Sequence, residues 1–499
     1  MLAKNLFAAV DLGSNSFRLE IGQLEAGRLR RVEYLKETVR QGNGLDAERL
    51  LSDAALQRGW DCLARFGERL AGFKPAHVRA VATQTLREAK NRDVFIARAQ
   101  KILGFPIEVI AGTEEARLIY LGVSHMLPPS DERRLVVDIG GRSTELILGQ
   151  HMQPLAMESY RIGSVAWSMK YFRDGSWSQS SFEAAEIAAQ AILDEALSVF
   201  QTGQWDRAYG SSGTVGAVAD ALAAHGWPEG LITREGLDWL KERLIKAERP
   251  ENLRLDGIRE DRRPVIGGGL SVLCAVFDLL QIEVLHVAQG ALRHGALFDM
   301  LDRETPQADV RTAMVQGLAR RFSVDPLQAT RVSERACGFM QALMPEDLPP
   351  ESRERLLQTL QWAGQLHEIG MLIAHSDHHK HGAYVLKNSD LTGFTLNELQ
   401  SLGDLVLGHR GKLKKLDSQW HQGERGLMLL SLRLAVMVCH ARRNPDVSEW
   451  LLRYEPSMSR VRITLPRTWC DQWPQSNHLL REECLAWSKT QLPLELDIT

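Results

Sequence analysis

Asp138 closes an apolar, β-branched run and stands two residues before Gly140-Gly141, and Glu145 opens the next such run, in LVVDIGGRSTELILG at 135–149. A glycine turn between two strands presents backbone N–H groups to an anion, and flanking carboxylates can hold a hard cation that shares a phosphate's charge. Alone the signal is weak, since many hairpins contain Gly-Gly and an aspartate. A second copy strengthens it. Residues 8–23, AAVDLGSNSFRLEIGQ, align without a gap on residues 135–150, LVVDIGGRSTELILGQ, each position shifted by 127. Val10, Asp11, Gly13, Ser16, Leu19, Gly22 and Gln23 recur as Val137, Asp138, Gly140, Ser143, Leu146, Gly149 and Gln150. Two such units, each opening a half of similar size, predict a duplicated α/β lobe with its turns facing across a cleft, against the alternative of two unrelated hairpins.

Other candidates stand at strand ends. A predicted strand over 77–82 runs into Thr83-Gln-Thr-Leu-Arg87. An arginine there can fork onto a phosphate, although an exposed arginine at a helix start is the commoner meaning of that spacing. A short strand over 107–110 leads into Thr113-Glu114-Glu115, with Thr113 a candidate N-cap and both glutamates in the first helical turn. Such carboxylates usually complement the helix dipole, but a helix start at a strand end can also aim a general base across the cleft. Gly210, Ser211, Ser212, Gly213 and Thr214 join a strand to a helix as a phosphate cradle by composition. The glycines at 267–269 and 290–295 are read, with this cradle, as further places of ligand approach.

The elements that position these residues follow from periodicity. Helices are predicted over 53–71, with Leu56, Trp60, Leu63, Phe66 and Leu70 at helical spacing, and over 91–103, 181–201 and 270–280; strands over 28–39, 154–161 and 283–287 complete the lobes. Around 302–309 the pattern turns helical, with little strand signal until about 459–465 and a closing helix near 478–487. The expected domains are 1–130, 131–305, 306–446 and 447–499. Within the third, His375, His378, His381, Lys380, Arg410 and Lys414 gather in a basic, histidine-rich stretch suited to metal binding or to lining a polyanion groove.

A net charge of −3 gives no chain-wide signal for nucleic acid, so phosphate affinity must come from local clusters of Lys and Arg. The six cysteines form no CxxC pair and often sit in apolar contexts, which predicts free thiols in a reducing cytoplasm. The N-terminal apolar run is too short for a signal sequence, and no later stretch is expected to span a membrane.

In combination, AAVDLGSNSFR, VATQTLREA, GTEEARLIYLGV, VVDIGGRSTEL, GSSGT, GGGLSVLCAVFD, GALRHG, LHEIG and NSDLTGF resemble the exopolyphosphatase and guanosine pentaphosphatase family over essentially the whole chain. The resemblance implies an α/β fold with a duplicated actin-like core, of the actin, sugar kinase and Hsp70 superfamily, then an all-α HD-like domain and a small α+β module. It implies hydrolysis of the terminal phosphoryl group of inorganic polyphosphate, with pppGpp 5′-phosphohydrolase as the nearest alternative. A polyphosphate or nucleotide sensor and an actin-fold kinase are the remoter ones. Carried over position by position, Glu115 is the catalytic glutamate, Arg87 grips phosphate, and Asp138 and Glu145 are the magnesium-linked acids. The phosphate loops fall on Asp11, Gly13, Ser14, Asn15 and Ser16 and on Gly140, Gly141, Arg142 and Ser143. The implied cofactor is Mg²⁺, with Mn²⁺ as substitute and a monovalent cation such as K⁺ admitted, and the implied assembly is a homodimer.

Three positions depart from the family's pattern. Arg142 stands where a third glycine or a small residue is usual, His367-Glu368 replaces the His-Asp pair that a metal-dependent HD centre needs, and His294 replaces an acidic residue after Arg293.

Overall fold

The computed structural model describes residues 6–25, 28–303, 309–389 and 391–499, and the chain divides into two compact units, Met1–Asp309 and Val310–Thr499. Three expectations touch residues outside those described: the change of pattern at 302–309, the NSDLTGF motif at Asp390, and the start of the N-terminal run.

The first unit holds two sheets built on one plan. In the first, β1 (Leu6–Leu12), β2 (Phe17–Glu25) and β3 (Arg28–Glu37) form an antiparallel meander, and β4 (Val78–Ala82) and β5 (Ile107–Val109) add in parallel beyond β1, giving the order β3-β2-β1-β4-β5. In the second, β6 (Arg133–Ile139), β7 (Thr144–Gln150) and β8 (Gln153–Tyr160) repeat the meander. β9 (Arg207–Ser211), β10 (Leu231–Thr233) and β11 (Val284–Val287) complete the order β10-β11-β9-β6-β7-β8. The central strands β1 and β6 are buried on both faces, which is why they read as continuous apolar runs.

Helices connect and cover these sheets: α1 (Asp53–Leu70), capped by Ser52, then α2 (Gln84–Glu88), α3 (Arg92–Leu103) and α4 (Gly112–Met126) in the first lobe. The second lobe carries α5 (Ser164–Tyr171), α6 (Gln179–Leu193), α7 (Gly213–Ala224), α8 (Arg234–Ala247), α9 (Arg263–Leu280) and α10 (Leu292–Arg303). At 18 residues and a mean hydropathy of 1.5, α9 is long and apolar enough to cross a membrane by length and composition alone. Its residues from Val265 to Phe277 are all buried, so it is the core helix of its lobe. The glycines at 267–269 lie inside α9 instead of opening it. A Cβ on Gly267 would meet the Trp177 ring at 2.6 Å, and one on Gly268 would meet Ser168 N at 2.5 Å, so the run permits close packing and is no ligand loop.

The second unit is helical, with α11 (Val310–Arg321), α12 (Pro326–Leu343), α13 (Pro350–Leu366), α14 (His378–Asn388), α15 (Leu396–Gly408) and α16 (Gly423–Val438). A sheet of β12 (Leu451–Glu455), β13 (Arg460–Leu465) and β14 (Leu494–Ile498) follows, with α17 (Arg467–Gln472) and α18 (Pro474–Trp487) between its last two strands. β14, which periodicity did not reveal, pairs in parallel with β13. Leu360, Leu402 and Leu432 share one buried cluster with Ile463, Leu465 and Trp487. The boundary expected at 446/447 is therefore no break in the core.

Candidate active site

The duplicated turns carry different charges at equivalent places. Asp11 lies opposite Arg18 on β1 and β2, and Asp138 lies opposite Glu145 on β6 and β7. Arg18 Nη1 donates to Asp11 Oδ2 at 2.9 Å, so the first turn neutralises itself. In the second turn two carboxylates face each other. Burial, with Asp11 adding to it, raises the Asp138 carboxyl to about 6. Burial, with Glu115 and Asp138 adding, pushes Glu145 well above the usual carboxylate range. Ser159 Oγ donates to Glu145 Oε1 at 2.8 Å, while the buried Oε2 has no partner among the described residues.

The turns meet. A Cβ on Gly141 would stand 2.9 Å from Ser14 Cβ and 3.4 Å from Asn15 N, so only glycine allows this approach. Asn15 Nδ2 and Ser16 Oγ are buried without a hydrogen-bond partner among the described residues, a costly state unless a ligand completes it.

Glu115 arrives on the first turn of α4. Arg87, at the end of the short helix after β4, donates from Nη1 to Glu115 Oε2 at 2.7 Å and to the Ile110 carbonyl at 2.9 Å. Burial raises the Glu115 carboxyl, Arg87 opposes that rise, and Asp11 and Asp138 add to it. A buried carboxylate held by one arginine and facing other acids has the environment of a general base tuned toward neutrality. The neighbouring Glu114 does not serve the helix dipole. It is fully buried, accepts from Arg117 Nε and Nη2 at 2.8 and 2.9 Å and from Arg79 Nη2 at 3.3 Å, and Arg79 and Arg117 both also grip Asp299 on α10. Thr113 is no N-cap either: Ala111 holds that place without a side-chain cap bond, and Thr113 Oγ1 is buried and unpartnered among the described residues.

The packing of α4 against α10 seats the last wall of the cleft. A methyl on Gly122 would overlap the Ala291 carbonyl, and one on Gly295 would overlap that of Leu118. These glycines let α10 approach backbone to backbone, which brings the segment 288–293 to the cavity.

The cavity encloses about 430 Å³. Asp11, Gly13, Ser14, Asn15, Ser16, Glu115, Asp138, Gly140, Gly141, Ser143, Ser212 and Gly213 line it, while Arg87 and Glu145 stand behind that lining. Other predicted phosphate residues do not line it. Gly210 is packed against Val215 and Leu285, Ser211 Oγ donates to the Gly290 carbonyl at 2.8 Å, and Thr214 Oγ1 donates to the Ile139 carbonyl at 3.0 Å. The cradle thus narrows to Ser212 and Gly213. Arg142 turns its side chain to Glu88 at 3.0 Å.

Periodicity missed a cationic end of the same cavity: Arg18, Lys36, Arg259, Arg262 and Arg293, with Tyr34. Burial, with Arg18 and Arg259 adding and Asp261 opposing, lowers the Arg262 guanidinium to about 10. Arg18 was legible from its place opposite Asp11; Arg259 and Arg262 belong to a loop far from both turns in sequence. Arg293 and His294 converge on Glu20, at 2.5 and 3.1 Å, so His294 buttresses the wall where the family's pattern has an acid.

In the second unit, His378 is buried and does not belong to a surface groove. Its ring lies 5.4 Å from that of His409, which is 5.5 Å from His367 and 6.2 Å from His379. His375, Lys380, Arg410 and Lys414 are exposed and His381 is half-buried. Arg442 Nη2 holds both oxygens of Glu368, at 3.0 and 3.1 Å. Among the described residues, no group of three His, Cys, Asp or Glu side chains is placed to hold a metal ion by itself.

Comparison with known proteins matches both units. The model of the Ppx/GppA phosphatase family matches residues 21–304, and that of Ppx/GppA phosphatase domain III matches residues 310–485. A solved exopolyphosphatase-like protein is 27% identical, with a TM-score of 0.54, over 59% of this chain and 97% of that one. An exopolyphosphatase from Cytophaga hutchinsonii is 25% identical, with a TM-score of 0.54, over 60% of this chain and 98% of that one. The Aquifex aeolicus member of the Ppx/GppA family is 26% identical, with a TM-score of 0.50, over 60% and 99%. The second repeated meander lies within the first match, and the helical unit carries domain III. Because the two models cover both compact units in chain order, this chain belongs to the Ppx/GppA phosphatase family.

Proposed function

We propose that this phosphatase-family chain is an exopolyphosphatase, releasing orthophosphate from the end of inorganic polyphosphate. The observation that carries the reading is Glu115: a buried carboxylate of raised proton affinity, oriented by Arg87, at the edge of a cavity walled by two glycine turns. Glu115 takes a proton from a water, the water oxygen bonds to the terminal phosphorus, and the bridging P–O bond breaks to leave a chain one unit shorter. Arg87 holds Glu115 in line for that proton transfer, and turn amides stabilise the charge that builds on the phosphoryl oxygens.

The acids fit a magnesium ion. Asp138 and Glu145 are hard oxygen donors paired across the hairpin, Asp138 adds to the raised proton affinity of Glu145, and Glu145 keeps an orphaned oxygen. Magnesium characteristically takes one or two carboxylates and completes its shell with water and phosphate. When bound, it would supply positive charge to the phosphoryl oxygens.

The cationic end of the cavity favours a second reading, pppGpp hydrolysis, because Arg18, Lys36, Arg259 and Arg262 can take either the next units of a polyphosphate or the other pyrophosphate of the nucleotide. We take polyphosphate first because the exposed His375, Lys380, Arg410 and Lys414 offer cations to a longer polyanion. A homodimer and a cytoplasmic setting belong to this proposal, the latter supported by six free cysteines. Phosphate release from long-chain polyphosphate and from pppGpp in one buffer tests it. A higher kcat/KM on polyphosphate is expected; a higher value on pppGpp reverses the order, and no release from either removes the hydrolytic reading.

A further inference from the structure

Arg142 sits between residues that line the cavity and yet faces away from it. Its guanidinium crosses to the first lobe, donating from Nε and Nη2 to Glu88 Oε2 at 3.2 and 3.0 Å and from Nη1 to the Gly42 carbonyl at 3.1 Å. Gly42 has no Cβ for good reason, since one would stand 3.1 Å from Arg142 Cδ and 3.2 Å from Ser14 Cβ. The Arg142 and Glu88 side chains keep only 18% and 14% of their surface exposed, so this bond across the lobes is far better shielded than a surface ion pair.

The bond continues inward. Gln84 Nε2 donates to the other oxygen of Glu88 at 2.6 Å, and Gln84 Oε1 accepts from Arg87 Nε and Nη2 at 2.9 and 2.7 Å. Arg87 Nη1 then donates to Glu115 Oε2 at 2.7 Å. An amide has one accepting and one donating end, so Glu88 decides which way Gln84 faces, and Gln84 in turn fixes two of the donors of Arg87. An unbroken line of polar contacts therefore joins the turn of the second lobe to Glu115.

We propose that Arg142 is a positioning residue, coupling the closure of the two lobes to the alignment of Arg87 on Glu115; the proposal rests on the hydrolytic reading above. Without Arg142, a mostly buried Glu88 lacks its cation, Gln84 loses its anchor, and Arg87 is drawn out of line. Misplacement of this kind is costly because positioning, more than contact energy, governs the chemical step.

The test uses the full-length chain and the phosphoanhydride that the wild type cleaves. Arg142→Ala and Glu88→Gln are each expected to lower kcat at least ~10-fold while KM stays within ~3-fold, the signature of lost alignment. The double variant is expected to be no slower than the worse single one, because both break the same line. Arg142→Lys, which keeps one donor on Glu88, is expected to recover part of the rate. Amide hydrogen exchange, read without substrate, is expected to quicken at 84–88 and 140–143 in Arg142→Ala. Wild-type kcat with unchanged exchange, or single losses that multiply in the double variant, overturns the proposal. A wild type that releases no phosphate overturns the hydrolytic reading instead, and quickened exchange then still supports the coupling of the lobes.

Discussion

Arg18 and Glu145 occupy the same place in the two copies of the duplicated turn, each directly across its hairpin from an aspartate. One exchange of charge separates a turn that is internally neutral from one in which two carboxylates face each other. On the reading proposed above, the two turns diverge at this point, the first offering phosphate donors and the second its acids to a metal.

Asp138→Asn and Glu145→Gln are accordingly expected to raise the Mg²⁺ concentration for half-maximal rate at least ~10-fold, the usual scale for a lost ligand or its support. A magnesium titration of phosphate release measures it. A fallen rate with an unchanged magnesium requirement assigns these acids another role.

Glu115→Gln is expected to cut kcat at least ~10²-fold while substrate binding persists, as for a positioned general base. Its neighbour behaves differently. Glu114 is enclosed by Arg79 and Arg117, so Glu114→Gln leaves buried cations short of an anion and is expected to cost about 3–5 kcal/mol of stability, read from a denaturant melt. A near-normal rate in Glu115→Gln would sink the first expectation, and an unshifted melt the second.

Chain-length preference is expected to reside in the exposed cations of the second unit. Replacing Lys380, Arg410 and Lys414 by glutamine is expected to weaken binding of long polyphosphate and to flatten its dependence on salt, by roughly one unit of log–log slope for each phosphate no longer neutralised. Turnover of short phosphoanhydrides is expected to stay as it was. An unchanged salt slope on long chains places the polyanion's cations elsewhere.

The second unit is expected to lose stability in acid. Burial holds His367, His378 and His409 below the ordinary imidazole value, and burial with Lys415 and Arg410 lowers His379 to about 4; Glu368 and Asp377 oppose these shifts only in part. A depressed value means that the unfolded chain binds more protons, so the stabilising contribution is whole above about 6.5 and is lost as pH falls toward about 4. Hydrogen exchange across 360–410 at several pH values follows this, and His409→Leu is expected to shallow the trend. A trend equally steep in that variant removes His409 from it.

The local chemistry of each turn was written in the chain. Val136, Val137 and Ile139 mark a strand buried on both faces, Gly140-Gly141 a turn, and the gapless match of residues 8–23 to 135–150 the duplication, because these depend on neighbours a few residues apart. What only the tertiary structure decided are contacts between distant segments. Glycines at 267–269 looked like a ligand loop and are a helix face pressed on Trp177 and Ser168; Glu114 looked like a dipole partner and is locked to Asp299 through two arginines; the cationic wall of Arg18, Lys36, Arg259 and Arg262 has no sequence period at all. A glycine or a charge has the same local propensity whether a ligand, a helix or another charge approaches it, and which of them arrives is fixed only when the chain closes on itself.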